Sequence, residues 1–416
     1  MNVWIFQTGE PLQIDKGNSR PMRAINLSNS LLKKGHKVTL WSSCFFHQKK
    51  RFRSKSFKNI FVNKNFEIKL LPSPGYKKNV SISRMIDHFI LALNLKKKLE
   101  IEKTMPDVAF VGYPPIETAY ILTRWLKKKN VPILLDVKDL WPSSFIDNFS
   151  NFLKPLVYLI FFPYFFVAKK TIKNATSICA ISQSYLNWSK KFSKRKKNKF
   201  DFVAQLTSQL DNLKINKKVD DINYAWLKKN NILDKKIFRI IFIGSFSRAF
   251  NFNQIFEAVE ILKKEKIKCE FIFCGEGELF FNLKKLFKEH KNVKIIKHID
   301  STKIIALSKY SSVFIAPYKE EKNFIFSIPN KAIDSFSLKL PLLYPLKGEL
   351  KNLILNNKAG MIYNNSNSLA NVIKKLIKNT KLLNQMSINS KKLYKKKFEF
   401  NKVYNKIILV LNNLKN

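Results

Sequence analysis

Residues Ser327 to Pro341 read SIPNKAIDSFSLKLP and run directly into the apolar triplet Leu342, Leu343 and Tyr344. Ser327 is a helix-capping residue type, and Pro329 has a φ suited to a first helical turn, so a helix start is expected here. A helix followed at once by a short apolar strand is the repeating unit of an α/β fold. Lys331 and Asp334 stand three apart and share one helix face. A helix N-terminus offers N–H groups without intrahelical partners and a partial positive charge, which is where a phosphate rests. With Asn330 and Lys331 beside that phosphate and Asp334 able to hold a ribose hydroxyl, the stretch has the parts of a nucleotide site. An ordinary amphipathic helix packed on a sheet accounts for the same residues without a ligand.

Working outward, strand-like apolar runs alternate with helix-like segments along the chain, the signature of parallel α/β domains. Strands are expected at Val3–Phe6, Lys37–Trp41, Glu67–Leu71, Val108–Val111, Ile133–Asp136 and Ser177–Ile181, with a helix over Met22–Lys34 stopped by Gly35. Between Ser189 and Lys236 the pattern gives way to charge runs such as KKFSKRKKNK, which read as an inter-domain connection. A second series follows at Phe238–Ile243, Glu270–Cys274, Val293–Ile296, Val313–Ala316 and Pro341–Tyr344. The expected architecture is two doubly wound, Rossmann-like parallel-sheet domains, residues 1–200 and 201–392, facing across a cleft where open α/β sheets bind ligands. Residues 393–416 read as a helix bracing the first domain, within one long helical stretch from Leu382 to Asn416.

Size and composition agree with two folded domains: 416 residues, 45% hydrophobic, with 36 Phe. The charge is extreme, with 77 Lys+Arg against 29 Asp+Glu, a formal +48. Such a field attracts polyanions, either nucleic acid or an anionic membrane surface. The lysines are nevertheless spread through every segment among many Asn, Ile and Phe, as compositional drift of a genome would leave them. No nucleic-acid-binding motif accompanies them, so nucleic acid is not an expected partner. Cys44, Cys179, Cys269 and Cys274 form no CxxC pair and sit in apolar contexts, consistent with reduced core thiols and a cytoplasmic protein. Five His without ligand spacing point away from a bound metal. The start, MNVWIFQTGEP, reads as a first strand and not as a signal peptide. Phe152–Ala168 (FLKPLVYLIFFPYFFVA) is strongly apolar but short for a bilayer span; it reads as a buried helix or as a membrane-dipping one flanked by Lys154, Lys169 and Lys170.

Other candidate site residues lie on strand-end loops. The loop GEPLQIDKGNSRPMR places Gly17 ahead of Arg20 and Arg23 at a helix start, where arginines suit phosphate or carboxylate; a solvated loop explains it equally well. In DVKDLWP, Asp139 follows a strand and points into the crevice or caps a turn. GSFSRAF puts Gly244 and Ser245 at a strand end and Arg248 just beyond, where it would neutralise a departing diphosphate. CGEGEL adds Gly275 and Gly277. P-loop, esterase-elbow and zinc-protease motifs are absent.

Together these residues resemble the GT-B glycosyltransferases of family four, over nearly the whole chain. LLKKGHKVTLWS looks like the family's first helix, Gly-His-x-Val and second strand. YPPIETAY with DLWP is similar to the branch that makes bacterial surface polysaccharides such as O-antigen and capsule. FIGSFSRAFNFNQIFEAVEIL, FIFCGEGEL and SSVFIAP resemble the nucleotide domain. The opening stretch falls on the family's pair of acids eight apart, with Asp334 as the second acid, the ribose ligand. The first acid falls on Phe326, and the lysine expected after Gly244 falls on Phe250, which leaves Arg248 and Lys331 to share the diphosphate.

The resemblance implies a retaining hexosyltransferase that needs no metal or other cofactor. It would move a hexose or aminohexose from a nucleotide diphosphate sugar, UDP favoured, to a lipid-linked saccharide at the inner face of the cytoplasmic membrane. Arg248, Lys331 and Asp139 would be its catalytic groups. Gly244, Ser245, Gly275, Gly277, Ser327, Pro329, Asn330 and Asp334 would surround the donor, and Gly17, Arg20 and Arg23 the acceptor or phosphate loop. The rivals are a GT-B sugar-nucleotide 2-epimerase, for which the chain is poor in acids and histidines, and a basic protein that binds polyanions without catalysis.

Overall fold

The computed structural model describes all residues except 16–19, 80, 148, 197 and 214. The chain forms two compact units, Met1–Ala204 with Asn401–Asn416, and Gln205–Phe400.

Unit 1 carries β1 (Asn2–Phe6), β2 (Lys37–Ser43), β3 (Phe45–Phe46), β4 (Arg51–Phe52), β5 (Lys58–Asn63), β6 (Phe66–Leu71), β7 (Val108–Tyr113), β8 (Ile133–Val137), β9 (Ser177–Ala180) and β10 (Phe202–Val203). Among the described residues eight of these form one sheet in the order β10-β9-β8-β7-β1-β2-β6-β5, and β3 pairs with β4. Every neighbour in the large sheet is parallel except β5, which lies antiparallel on the edge. Parallel strands are covered on both faces, so VAFVGY and ILLDV are buried throughout and read as continuous apolar runs. Trp4 of β1 stacks on Trp125 at 5.8 Å and meets Trp41 at 5.2 Å, an aromatic cluster on one face of the sheet centre. The chain's last helix, Phe400–Lys415, buries Val403, Tyr404, Ile407 and Leu411.

Unit 2 carries β11 (Arg239–Ile243), β12 (Glu270–Cys274), β13 (Val293–Ile296), β14 (Val313–Ile315), β15 (Leu342–Tyr344) and β16 (Gly360–Ile362). They form an all-parallel sheet in the order β13-β12-β11-β14-β15-β16 among the described residues. Its core is strongly aromatic: Phe242 packs edge-on against both Phe250 and Phe252, at 5.0 and 5.1 Å. Arg239, at the start of β11, is fully enclosed. Its Nε donates to Glu270 at 2.6 Å, and Nη1 donates to the carbonyls of Asp234 and, at 3.1 Å, Tyr310. One guanidinium thus ties together the segments that lead into three neighbouring strands.

The chain's asparagines and serines find a use at helix starts. Ser81, Ser182, Asn216, Asn251 and Asn365 each accept a backbone N–H of the first turn. At the other ends, Asn130, Lys194, Asn231, Lys266, Lys339 and Lys358 take positive φ just past a helix, a position where glycine is the commonest residue.

Three expectations change. Phe152–Ala168 is not one buried helix: Lys154–Ile160 and Phe162–Asn174 meet at a 70° bend, and Phe152 (90% exposed), Leu159 (71%) and Ile160 (64%) face outward. Among the described residues no single helix is long and apolar enough to cross a membrane. Leu382–Asn416 is two helices, Thr380–Lys397 and Phe400–Lys415. The edge strands β5 and β16 were not expected; β5 is mostly exposed, and its short run Ile60, Phe61 and Val62 lacks the alternation of a half-buried strand.

Arg239→Ala is expected to cost about 3 kcal/mol or more in denaturant unfolding, since it empties a fully enclosed site and strips two carbonyls and a carboxylate of their donor. Glu270→Gln should cost less than Arg239→Ala, because the glutamine oxygen still accepts from Nε and the carbonyl bonds remain. Equal costs would mean that the ion pair alone matters.

Candidate functional site

The C-terminal edge of the unit 2 sheet gathers most of the expected donor residues. The helix begins at Asn330 and runs to Ser337, two residues later than the sequence suggests: Pro329 is its N-cap, and Ser327 ends the preceding Lys322–Phe326 helix instead of capping this one. Ser327 is buried, whereas Asn330 is exposed at the helix start. The capping position holds no side-chain hydrogen bond.

From the first turn of this helix Lys331 reaches back to the end of β11. Its Nζ donates to the Ile243 carbonyl at 2.9 Å and lies 4.9 Å from the Phe242 ring and 5.1 Å from the Phe250 ring. A Cβ on Gly244 would fall 1.7 Å from that ammonium, so only glycine leaves the space, and its φ of +142° demands glycine as well. Phe250 occupies the place where the resemblance expects a lysine. The structure brings a cation beside that ring from a different element.

The glycines of CGEGEL serve packing. A Cβ on Gly275 would sit 1.8 Å from the Gly244 carbonyl oxygen, and one on Gly277 would sit 2.5 Å from that of Phe246. The two strand-end loops lie that close because Phe246 N–H donates to Glu276 and Leu279 N–H donates to Phe246.

Arg248 stands at the rim of the same edge. Its side chain is 83% exposed and pairs with Glu278 at 3.5 Å, while its backbone N–H donates to the same carboxylate at 3.0 Å. Ser245 is exposed nearby. Asp334 accepts a 2.6 Å hydrogen bond from Ser208, a fully buried residue that the sequence does not single out. Ser337 also donates to Ser208, at 3.2 Å, and Tyr394 donates to its carbonyl. The carboxylate is thereby oriented by a hydroxyl 126 residues away.

In unit 1, Gly17 lies outside the described residues, and Arg20 is exposed. Arg23 is buried: it donates to Asp136 at 3.1 Å and to the Ala204 carbonyl at 2.7 Å. An arginine at a helix start suits an anion, and the anion that Arg23 meets is a carboxylate of its own unit. Lys138 adds to the network by donating to Gln7 at 2.8 Å and to Glu10, which in turn accepts the Ala24 N–H at 2.7 Å. Asp139 accepts from the Trp141 N–H at 3.1 Å and the Ser144 hydroxyl at 3.5 Å, which is the turn-capping geometry, and burial raises its carboxyl above the usual range.

Residues 225–393 match the family model described as Glycosyl transferases group 1. No curated protein matches the sequence. Among solved structures the chain is similar to sucrose-phosphate synthase from Thermosynechococcus elongatus (13% identity, TM-score 0.71, covering 99% of this chain and 98% of that one). It is also similar to WaaG, described as a glycosyltransferase involved in lipopolysaccharide biosynthesis (12%, TM-score 0.65, 98% and 99%). A third is HepE of Anabaena in complex with UDP-glucose (11%, TM-score 0.64, 99% and 100%). Such identities speak to fold, and the fold is GT-B.

Gly277→Ala should lower stability by about 1–3 kcal/mol, as overpacking against the Phe246 backbone does, seen as a lower denaturant midpoint. Unchanged stability with weakened ligand binding would assign the glycine to a ligand instead.

Proposed function

We propose that this chain is a retaining glycosyltransferase that moves a hexose or aminohexose from a nucleotide diphosphate sugar, with UDP as the favoured nucleotide, to a lipid-linked saccharide. The observation that carries the reading is the placement of Lys331 at the end of β11, on the first turn of a helix that also carries Asp334. The group 1 match over residues 225–393 covers this whole edge. HepE, a structural neighbour, holds UDP-glucose in its solved complex, which supports the same donor class here.

Chemically, transfer requires stabilising the charge that grows on the departing diphosphate. Lys331 and the helix N-terminus supply fixed positive potential. Arg248 supplies a mobile one: an exposed ion pair is worth about 0–1 kcal/mol, so leaving Glu278 for a diphosphate costs little. Asp334, held by Ser208, would accept from ribose hydroxyls. With Phe326 where an acid is expected, hydroxyls of the donor sugar would be read by other groups, among them the backbone of residues 325–328. The reading assigns no metal or cofactor.

The acceptor side of the proposal rests on surface chemistry. Phe152, Leu156, Leu159, Ile160, Phe162 and Phe166 expose apolar surface next to Lys154, Lys169 and Lys170. Apolar residues rimmed by lysine suit the surface of an anionic bilayer, where a lipid-linked acceptor resides. A cytoplasmic enzyme working peripherally on the inner membrane face, in surface-polysaccharide synthesis, fits this combination.

Titration calorimetry with UDP-, GDP- and dTDP-glucose should show binding of one nucleotide class, UDP expected. Lys331→Ala and Asp334→Asn should each weaken it at least about tenfold, or about 1.4 kcal/mol. Arg248→Ala should lower turnover by about 10²–10³ with a smaller effect on affinity. If no nucleotide sugar binds, the proposal falls.

The protein should also co-sediment with phosphatidylglycerol vesicles at low salt, and Phe152→Ser with Leu159→Ser should abolish this. Retention in the supernatant would remove the membrane part.

A further inference from the structure

The neighbouring strands β11, β14 and β15 are parallel, so the segments that follow them leave one edge of the unit 2 sheet. Lys331 marks where a diphosphate would lie on that edge, at the end of β11. The sugar of a nucleotide sugar is joined directly to its diphosphate, so it would lie against the same segments. Its hydroxyls need acceptors there. An ionised carboxylate is the strongest acceptor a chain can offer, with two oxygens that only accept.

Few carboxylates stand near. Residues 244–255, the loop and first helical turn after β11, contain none. Between β14 and β15 the chain has Glu320, Glu321 and Asp334. Glu320 and Glu321 are exposed, and Glu320 pairs with Lys347 at 2.7 Å. Asp334 is held by Ser208 and is assigned above to the ribose. Glu276 and Glu278, after β12, are exposed, and Glu278 pairs with Arg248. At position 326, the end of the helix Lys322–Phe326, the side chain is phenylalanine. The segment after β15 adds Glu349, half-buried in the first turn of the helix Glu349–Asn356.

The segments after β14 and β15 are tied together at three points. Tyr344, the last residue of β15, donates its hydroxyl to the Phe324 carbonyl at 3.2 Å, Lys347 meets Glu320, and Gly348 lies against Ile325. The last approach is so close that a Cβ on residue 348 would fall 2.1 Å from the Ile325 carbonyl oxygen, and its φ of +103° also calls for glycine. One residue onward from this contact stand Phe326 on one segment and Glu349 on the other. With about 3.8 Å between consecutive Cα atoms, the Cα atoms of Phe326 and Glu349 are no more than about 10 Å apart. A carboxylate carried at 349 can therefore serve the space that one at 326 would serve.

We propose that Glu349 reads the donor sugar: its carboxylate accepts hydroxyls of the transferred hexose, supplying from the helix after β15 the acid that the segment after β14 lacks at Phe326. The assignment rests on the transferase reading above and adds to it a residue that sets sugar specificity. A site built on such an acceptor discriminates against a sugar that lacks the hydroxyl. An acid in the first turn of a helix also complements the helix dipole, and the test separates the two roles.

Titration calorimetry on the full chain compares UDP with UDP-glucose and UDP-N-acetylglucosamine in the wild type, Glu349→Gln, Glu349→Ala, and Glu349→Ala combined with Phe326→Glu. Each single variant should weaken the better-bound UDP-sugar at least tenfold, change UDP less than twofold and keep the unfolding midpoint near that of the wild type. Adding Phe326→Glu should recover at least threefold of the lost affinity. A glutamate that only completes its helix would weaken UDP and UDP-sugar alike, or lower the midpoint, and would not be rescued from position 326. Undiminished UDP-sugar affinity in both single variants, a parallel loss for UDP, or no recovery in the combined variant overturns the proposal and leaves the transferase reading standing. Should GDP or dTDP be the nucleotide that binds, the same comparison is made with GDP-mannose or dTDP-glucose. A wild-type chain that binds none of these nucleotides sinks the transferase reading, and this assignment with it.

Discussion

The candidate donor edge depends on one contact, the ammonium of Lys331 lodged in the space that Gly244 leaves at the end of β11. The ammonium donates to a backbone carbonyl and lies close to two phenylalanine rings. That arrangement keeps positive potential at the strand end. A side chain on residue 244 would displace the cation, and a side chain on residue 275 would push the Gly244 carbonyl away. The helix Asn330–Ser337 is thereby fastened to the sheet at its first turn, and Asp334, one turn on, acquires its orientation from Ser208. Cation, helix terminus and acid form one mechanical unit.

Unit 1 solves a different problem with similar means. Its strand ends carry buried charges that compensate one another: Arg23 with Asp136, and Lys138 with Glu10. Buried pairs of this kind contribute little net stability but punish the loss of either partner. They tie Glu10, on the segment after β1, to Lys138 and to the Ala24 N–H at the start of the following helix.

Much of the fold was legible in the sequence. Central parallel strands are buried on both faces, so VAFVGY, ILLDV, RIIFI and EFIFC could be read from apolarity alone, each within a residue or two of its observed bounds. The edge strand β5 could not, because its apolar residues Ile60, Phe61 and Val62 show no alternation and are mostly exposed. The site was legible only in part, because its contacts are long-range. Lys331 meets a carbonyl 88 residues away, and Arg23 meets a carboxylate 113 residues away. Residue type gave the right chemistry for Arg23, an anion partner, but spacing carries no information on whose anion it is. Ser208 carries no motif at all. Phe326 and Phe250 are read as gaps when a family pattern is laid on the chain. Lys331, which the resemblance sets beside the diphosphate, stands 5.1 Å from the Phe250 ring, a closeness that sequence order does not reveal.

The lysines and asparagines at the ends of helices bear on how this chain uses glycine. Left-handed backbone costs a non-glycine residue roughly 1–2 kcal/mol, and the chain bears that strain at Lys194, Lys266, Lys339 and Lys358. With only 10 Gly in 416 residues, the chain places lysine and asparagine at these helix ends instead. Those that persist at residues 244, 275 and 277 are sites where a single carbon atom would collide with backbone or with Lys331. Where a glycine stands against backbone in this way it marks one of the tightest seams of the molecule, whereas a Cβ on Gly9 or Gly35 would meet nothing within 4 Å.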